Sequence, residues 1–460
     1  MLNQLKNEGN LPKKIVMPDY SCENNKKVLI IRVRVVLAQI SNHKEINMQD
    51  KNTTQSTFMQ LFQPIFSKNI WAKIHQEVPN LDKRSQKLKT SQLTLLISHA
   101  QLQEYEALRK ISSSVQSDNL GQTIGLESIS HSQISRRLRT LPINVSEMLF
   151  KGVLNKVAQK KGYGLIQQRL GKLYMIDASV ISLCLSKYPW AVFRKTKAGV
   201  KMHLRLSFDG MAVPDEVIIT PAKTADKKKL DELIVVDRDA LNIFDRGYID
   251  YKLFDEYCRN GIRFVTRLKN NASVKFTGVE RSVEEEGIIE EDVDVILGTS
   301  SRKMEHILRV VTIDDNINEA FSILTNDFDR SAEELGEIYR YRWQIELFFK
   351  WLKQHAQIKH FYGTSETAVI NQLLLALMTY CSLILLKLEI VYKRELLTLQ
   401  RMLIACLFES YDSFLEKLRR RRRKGSRRVK YGQIYKMTEH QIMNNKTDWL
   451  DDLTYDPVIL

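Results

Sequence analysis

Residues 339–353 read Tyr339-Arg-Tyr-Arg342-Trp-Gln-Ile-Glu346-Leu-Phe-Phe-Lys-Trp-Leu-Lys353. At about 100° of rotation per residue, a helix over this stretch would bring Tyr339, Arg342, Glu346 and Lys353 within an arc of roughly 60°. Ile338, Trp343, Ile345, Leu347, Phe348, Phe349, Trp351 and Leu352 flank that polar stripe and are too apolar for a helix lying free on a surface. The expectation is a largely buried helix with its polar stripe facing a cleft. An ordinary reading stands beside it, because Arg342 with Glu346 and Glu346 with Lys350 are i,i+4 pairs of the kind that lace many helices.

Two upstream aspartates favour the cleft. Leu173-Tyr-Met-Ile176 is a short apolar, strand-like run ending in Asp177, and Leu241-Asn-Ile-Phe244 ends the same way in Asp245-Arg246-Gly247-Tyr248. Ligands gather at the carboxyl ends of strands in open sheets, so an acid there points into a site. Singly, each aspartate reads more simply as a strand-end cap or turn former. Three acids in the order Asp, Asp, Glu, the last on a helix, are hard to explain as caps. With no histidine or cysteine cluster beside them, this oxygen-only set suits Mg²⁺ or Mn²⁺. Two such ions about 3.5–4 Å apart would activate an attacking hydroxyl and stabilise the leaving oxygen of a phosphodiester, which is nuclease or strand-transfer chemistry.

The Tyr339-x2-Arg342-x3-Glu346-x6-Lys353 spacing, Asp245-Arg-Gly-Tyr248 and Asp177 in Met-Ile-Asp-Ala-Ser resemble the DDE transposases of bacterial insertion sequences, and more narrowly the insertion-sequence-four family. Gly199-Val-Lys-Met-His203-Leu-Arg-Leu, running on to Pro214-Asp-Glu-Val-Ile-Ile-Thr-Pro221-Ala-Lys, is similar to the same family between its two aspartates. The likeness covers residues 165–395. It implies a ribonuclease-H-like catalytic core whose first two acids sit on or just after strands and whose glutamate sits on a helix. It further implies that Asp177, Asp245 and Glu346 are the catalytic and metal-holding residues, with two ions. Tyr339, Arg342 and Lys353 would contact the DNA backbone, with Arg246 and Tyr248 as weaker candidates. A β-rich insertion, about residues 262–325, is expected between the second aspartate and the glutamate. Arg263–Leu268, Ser273–Phe276, Asp292–Leu297, His306–Ile313 and Phe321–Leu324 read as its strands by β-branched and aromatic content.

A net charge of +16 favours a polyanionic partner, and its distribution is uneven. From Lys417 to Lys430 ten of fourteen residues are basic and none is acidic, leaving +6 for the rest of the chain. That run reads equally as a solvated segment or a DNA contact. The five cysteines, Cys22, Cys184, Cys258, Cys381 and Cys406, form neither a close pair nor a metal spacing, which suits a reducing cytoplasm. Ala368–Leu386 carries no charge over nineteen residues, yet its Asn, Gln, Thr, Tyr and Ser content points to a core helix under the site, so no membrane is expected. The start of the chain lacks the pattern of a secretory signal.

Residues 1–47 contain an isolated β-prone run, Lys26–Leu37, and read as a leader preceding a start at Met48. Residues 48–162 have mainly helical spacing and are expected to be a DNA-binding region. One helix is expected over Gln101–Val115. A second, capped by Ser130, would present Arg136 and Arg137 as a groove-reading helix might. Residues 396–460 form a basic C-terminal segment.

The whole reads as an α/β DNA transposase that binds the terminal inverted repeats of an insertion sequence as a homodimer, cleaves at its ends and joins the 3′ ends to target DNA in a bacterial cytoplasm, at the nucleoid. Two alternatives stay open: a metal-dependent DNA nuclease without strand transfer, and a non-catalytic transposase-derived DNA-binding repressor.

Overall fold

A computed structural model describes residues 55–419 apart from 118, 163, 284–287, 300–302 and 315–319. The leader, its β-prone run and nearly all of the basic tract from Lys417 lie outside the described residues. The described chain opens with helices α1 Thr57–Phe62, α2 Lys68–Glu77, α3 Thr90–Leu102, α4 Leu108–Ser117, α5 Leu120–Ile124, α6 His131–Thr140, α7 Ile143–Lys161 and α8 Leu165–Leu170, and α9 Leu230–Leu233 follows the first four strands. Helix α10, Tyr251–Arg259, precedes the remaining strands after β5, and α11 Ala332–Arg340, α12 Trp343–His355, α13 Glu366–Glu389, α14 Leu396–Ala405 and α15 Tyr411–Arg419 close it.

The strands are β1 Lys172–Leu183, β2 Val192–Arg194, β3 Lys197–Phe208, β4 Ala212–Pro221, β5 Ala240–Phe244, β6 Arg263–Arg267, β7 Val274–Glu280, β8 Ile289–Leu297, β9 Leu308–Ile313 and β10 Phe321–Thr325. They form one ten-stranded sheet in the order β2-β3-β1-β5-β6-β10-β9-β8-β7, with β4 also paired to β3. Strands β1, β5 and β6 are mutually parallel, whereas β3 runs antiparallel to both β1 and β4. All five residues of β5 are buried, as a parallel strand covered on both faces requires. Alternation then separates two apolar layers. Leu173, Met175, Leu241 and Ile243 belong to a core that takes in α11, α12 and α13. Ile176, Phe244 and Phe264 belong to a second, with Tyr248, Phe254 and Tyr257.

Two expectations change here. Strand β1 does not stop at Asp177 but continues through Leu183, because β3 supplies antiparallel partners for every residue from Leu173 to Leu183. What ends at Ile176 is the parallel pairing with β5. The strands of the region expected as a β insertion join the same sheet, since β6 pairs in parallel with β5 and β10 to β7 extend it outward. Each of the five expected strands is present. The helix expected over Gln101–Val115 is two helices: the chain leaves α3 through Glu104 at φ 52 and returns Tyr105 to bury its ring against His99, at 5.7 Å between centroids.

The stretch 339–353 is also two helices. Around Tyr341 and Arg342 the backbone bonds span three residues instead of four: Tyr341 N–H donates to Ile338, Arg342 to Tyr339, Gln344 to Tyr341 and Ile345 to Arg342. Tyr341 packs on Phe208 at 4.9 Å and donates its hydroxyl to Glu337, so tertiary contacts hold the break. Tyr339 therefore lies on α11 and Glu346 on α12.

Among the described residues, α13 is the one helix long and apolar enough to cross a membrane, and it is buried within the fold. Its Tyr380 ring meets Phe348 and Trp351 of α12 at 5.0 and 4.8 Å. Its polar residues serve as fasteners. Asn371 donates to the carbonyls of Leu138 and Leu141 at the end of α6, and Gln372 binds the backbone of Gln357, His360 and Tyr362.

Candidate active site

Asp177, within β1, and Asp245, just after β5, lie at the same level of the two neighbouring parallel strands, since their predecessors Ile176 and Phe244 are paired. Asp177 shares its face of β1 with Leu173 and Met175, the face on which α12 packs. Asp245 follows β5 directly and opens a short 3₁₀ turn, Arg246–Tyr248. Glu346 projects from the first turn of α12. All three acids therefore reach one region, and Arg342, at the start of α12, stands among them.

Arg342 Nη1 donates to Glu346 Oε1 at 2.7 Å. Its guanidinium lies 5.6 Å from the Tyr339 ring centroid and 4.8 Å from that of Trp343, within cation–π range. Burial works against this charge, but Tyr339, Glu346, Asp177 and Asp245 outweigh it and hold the group above its usual range. Asp177 is pushed up to about 7: burial is the main cause, and Glu346 and Asp245 add to it against the opposing Arg342 charge and a hydrogen bond from the Ala178 N–H. Burial also raises Glu346, with Asp245 reinforcing it and Arg342 opposing. Lys353 is lowered, first by burial and then by Lys359, while Asp177 pulls the other way.

Two cavities flank this arrangement. One of about 290 Å³ is lined by Asp177, Ser179, Glu346, Lys350, Lys353 and Lys359. The other, about 500 Å³, is lined by Asp245, Arg246, Gly247, Lys269, Asn270 and Asn271. Each joins acids to cations, the composition a phosphodiester needs if it is to be held beside carboxylates.

The expected DNA contacts divide into two groups. Lys353 lines the first cavity and Arg246, exposed, lines the second. Tyr339 and Arg342 are turned inward and buried, so they brace the acids instead of presenting a surface. Tyr248 is a correction: it lies in the second core, its ring 5.9 Å from that of Phe244. Arg136 is exposed on α6, but Arg137 is not free to read a groove. Its guanidinium binds Asp82 at 2.7 Å, Thr90 at 3.0 Å and the Leu88 carbonyl at 3.0 Å, tying α6 to the start of α3. Ser130 does cap α6, with Gln133 completing a capping box.

Lys359, Lys269, Asn270 and Asn271 carry no periodic signal because they sit in connections, and only the fold brings them to the site. Behind it, on the other face of β3, His203 is fully buried; Nε2 is 3.0 Å from the Thr220 hydroxyl and Nδ1 3.6 Å from Asp226, to which Lys201 also binds at 2.9 Å. The alternation Lys201-x-His203 on one strand was the signal that could have found it.

Among the described residues, no three Asp, Glu, His or Cys side chains stand close enough to hold a metal ion as they are. The donor chemistry nevertheless fits a hard divalent cation. All three donors are carboxylates, and two of them are driven toward protonation by burial and by the other acids, with Arg342 as the opposing cation. A further positive charge would satisfy that imbalance.

A mixed α/β protein with one acid within a strand, a second just past the end of its parallel neighbour and a third on a helix packed over them is the class this geometry defines. Comparison with known proteins narrows it. Residues 169–382 match the family described as "Transposase DDE domain". The probable transposase for insertion sequence element IS5377 of Geobacillus stearothermophilus is 26% identical over 264 residues, covering 57% of this chain and 68% of that protein. The putative transposase y4zB of Sinorhizobium fredii is 30% identical over 274 residues, covering 57% and 72%. The putative transposase for insertion sequence element IS4SA of a Synechocystis strain is 24% identical over 270 residues, covering 56% and 72%. The chain belongs to the DDE transposase family.

Proposed function

We propose that this chain is the transposase of a bacterial insertion sequence of the insertion-sequence-four type, binding the element's terminal inverted repeats as a homodimer, cutting there and joining the 3′ ends to target DNA. The observation that carries this reading is the convergence of Asp177, Asp245 and Glu346 on Arg342, beside a wall of lysines. The strand arrangement supports a ribonuclease-H-like core, with its first acid within β1, its second just after the parallel neighbour β5, and its glutamate on a later helix.

Asp177, Asp245 and Glu346 would hold two ions of Mg²⁺ or Mn²⁺, which when bound would polarise the phosphodiester and lower the pKa of an attacking hydroxyl. Lys353, with Lys350 and Lys359, binds phosphate oxygens on one side, and Arg246 and Lys269 do so on the other. Arg342 fixes Glu346 and Tyr339 braces Arg342. Cutting consumes water: the phosphorus–O3′ bond breaks and leaves a 3′ hydroxyl and a 5′ phosphate. Joining is a transesterification in which that hydroxyl attacks a target phosphodiester and displaces its 3′ oxygen. Arg136 on α6 contributes to recognition of the ends, and the molecule works at bacterial DNA in the cytoplasm.

The test is cleavage by the full chain, with Mg²⁺ or Mn²⁺, of duplexes made from the DNA flanking its gene. Discrete cuts at inverted repeats, followed by joining to a plasmid, are expected. Absence of cutting, or cutting that survives loss of the three acids, overturns the reading; cutting without joining leaves a nuclease.

A further inference from the structure

Between Asp177 and Asp209 the chain contains no acidic residue, yet it contains Lys187, Arg194, Lys195, Lys197, Lys201 and Arg205. Two of these six are neutralised from outside the segment, Lys201 by Asp226 at 2.9 Å and Arg205 by Asp215 at 2.5 Å. The other four are exposed, and none is ion-paired among the described residues. Three of them crowd the β2–β3 hairpin, where Arg194 and Lys197 are paired across the turn Lys195-Thr196. Like charges opposite one another on a ladder are unfavourable, and no acid in this segment offsets them.

The chain leading into the hairpin is also anchored. Trp190 Nε1 donates to the Thr364 carbonyl at 2.7 Å and Tyr188 packs on Phe361 at 6.4 Å. The segment that receives these contacts is itself pinned by Gln372 and carries Lys359, which lines the cavity shared by Asp177 and Glu346. The next acid along that segment, Glu366, pairs with none of the hairpin cations among the described residues. The segment that carries Lys359 beside the carboxylates thus also anchors the approach to the basic hairpin.

We infer that the β2–β3 hairpin is a second DNA contact, gripping backbone phosphates of the duplex that continues outward from the cut. This rests on the proposed function and adds a surface and a position to it. From Asp177 to Leu183, the partner of Ala198 beside the hairpin, is six residues of strand, or roughly 20 Å at about 3.3 Å each. That is about six base pairs of duplex at about 3.4 Å per pair. Contacts of this kind position DNA without reading sequence.

The test compares the full chain with the triple variant Arg194→Ala, Lys195→Ala, Lys197→Ala and with Lys195→Glu, using anisotropy of a random-sequence duplex over a range of salt. The expected result is a loss of about tenfold or more at low salt for the triple variant, and a salt slope shallower by about 0.9 for each phosphate no longer neutralised. Lys195→Arg should retain the slope, and equal melting temperatures exclude misfolding. On a cleavage substrate trimmed to fewer than about six base pairs beyond the cut on the hairpin side, wild type and triple variant should become equal. An unchanged salt slope, or a loss that persists on substrates trimmed on either side, overturns the hairpin contact. If the wild type cuts DNA while the triple variant keeps its slope, only this inference fails; if the wild type neither binds nor cuts, the proposed function fails with it.

Discussion

Arg342 donates to Glu346 at 2.7 Å with its own side chain 8% exposed and that of Glu346 36% exposed. The pair is asymmetric: the cation is sealed in while its acid reaches the cavity. Taking a guanidinium out of water is costly unless charge surrounds it, and here Asp177 and Asp245 supply the remainder. Arg342 thus works through the acids, and removing it would leave half-buried carboxylates without their counter-charge.

Replacing Asp177 by Asn should abolish cleavage, a loss of roughly three orders of magnitude or more, yet stabilise the metal-free protein at neutral pH and above. The folded-state value of about 7 lies above the ordinary 3.8. A raised carboxyl adds stability that is full below 3.8 and is lost as pH rises through 7, so ionised Asp177 is a burden that the amide removes. The gain should be on the order of 1–3 kcal/mol in chelator at pH 8. Added Mg²⁺ should raise the melting temperature of the wild type and have little effect on the variant. A variant less stable than wild type in chelator would contradict this electrostatic account.

Arg342→Ala should lower stability by about 1–3 kcal/mol, the cost of losing a charge-assisted bond to Glu346 and leaving the half-buried acids unpaired. Arg342→Lys keeps the charge but loses the planar fork, and should recover stability in part while leaving cleavage at least about tenfold down. Denaturant unfolding and a cleavage assay on the same preparations separate the two effects. Unaltered stability in Arg342→Ala would mean that Glu346 and Asp177 do not depend on this cation.

The sequence discloses some of this site and hides the rest for identifiable reasons. Asp245 is legible because Leu241–Phe244 is short, apolar and stops where the backbone turns. Asp177 lies level with it on the neighbouring strand, but the continuation of that strand is not legible, since a reading that ends at the first acid ignores the partners β3 supplies. The break at Tyr341 leaves no mark because every residue from 339 to 353 tolerates a helix; Phe208, far away in sequence, decides it. Lys359 and Lys269 lie in loops, where composition gives no direction. Arg137 illustrates the reverse error, because a basic helix face looks alike whether its arginines meet solvent or Asp82.

Arg136 and Arg137 should consequently part company. Arg137→Ala removes hydrogen bonds to Asp82, Thr90 and Leu88 and should cost about 1–3 kcal/mol of stability. Arg136→Ala, exposed, should leave stability within about 0.5 kcal/mol while weakening binding to element ends. Thermal melts and competition binding with end-containing and random duplexes test both. If Arg137→Ala alone impaired end binding with its stability intact, the groove-reading role first expected of it would return.

His203 should make the fold acid-sensitive. Burial is the main cause that lowers it from 6.5 to about 4, with Asp226 opposing and Lys201 and Lys229 adding to the lowering. The unfolded chain therefore binds a proton that the folded chain refuses between those values, and stability must rise with pH across that window. Below pH 4 the penalty is complete and above 6.5 it is absent. Its ceiling is about 3 kcal/mol. His203→Gln cannot titrate, so its stability should fall less steeply than that of the wild type between pH 6.5 and 4. Measuring unfolding of both proteins by denaturant at several pH values, in the same salt, gives the difference directly and cancels the contributions of distant carboxylates common to both. Parallel curves would show that the imidazole is protonated as easily in the folded chain as in the unfolded one, and that its burial between β3 and β4 carries no such cost.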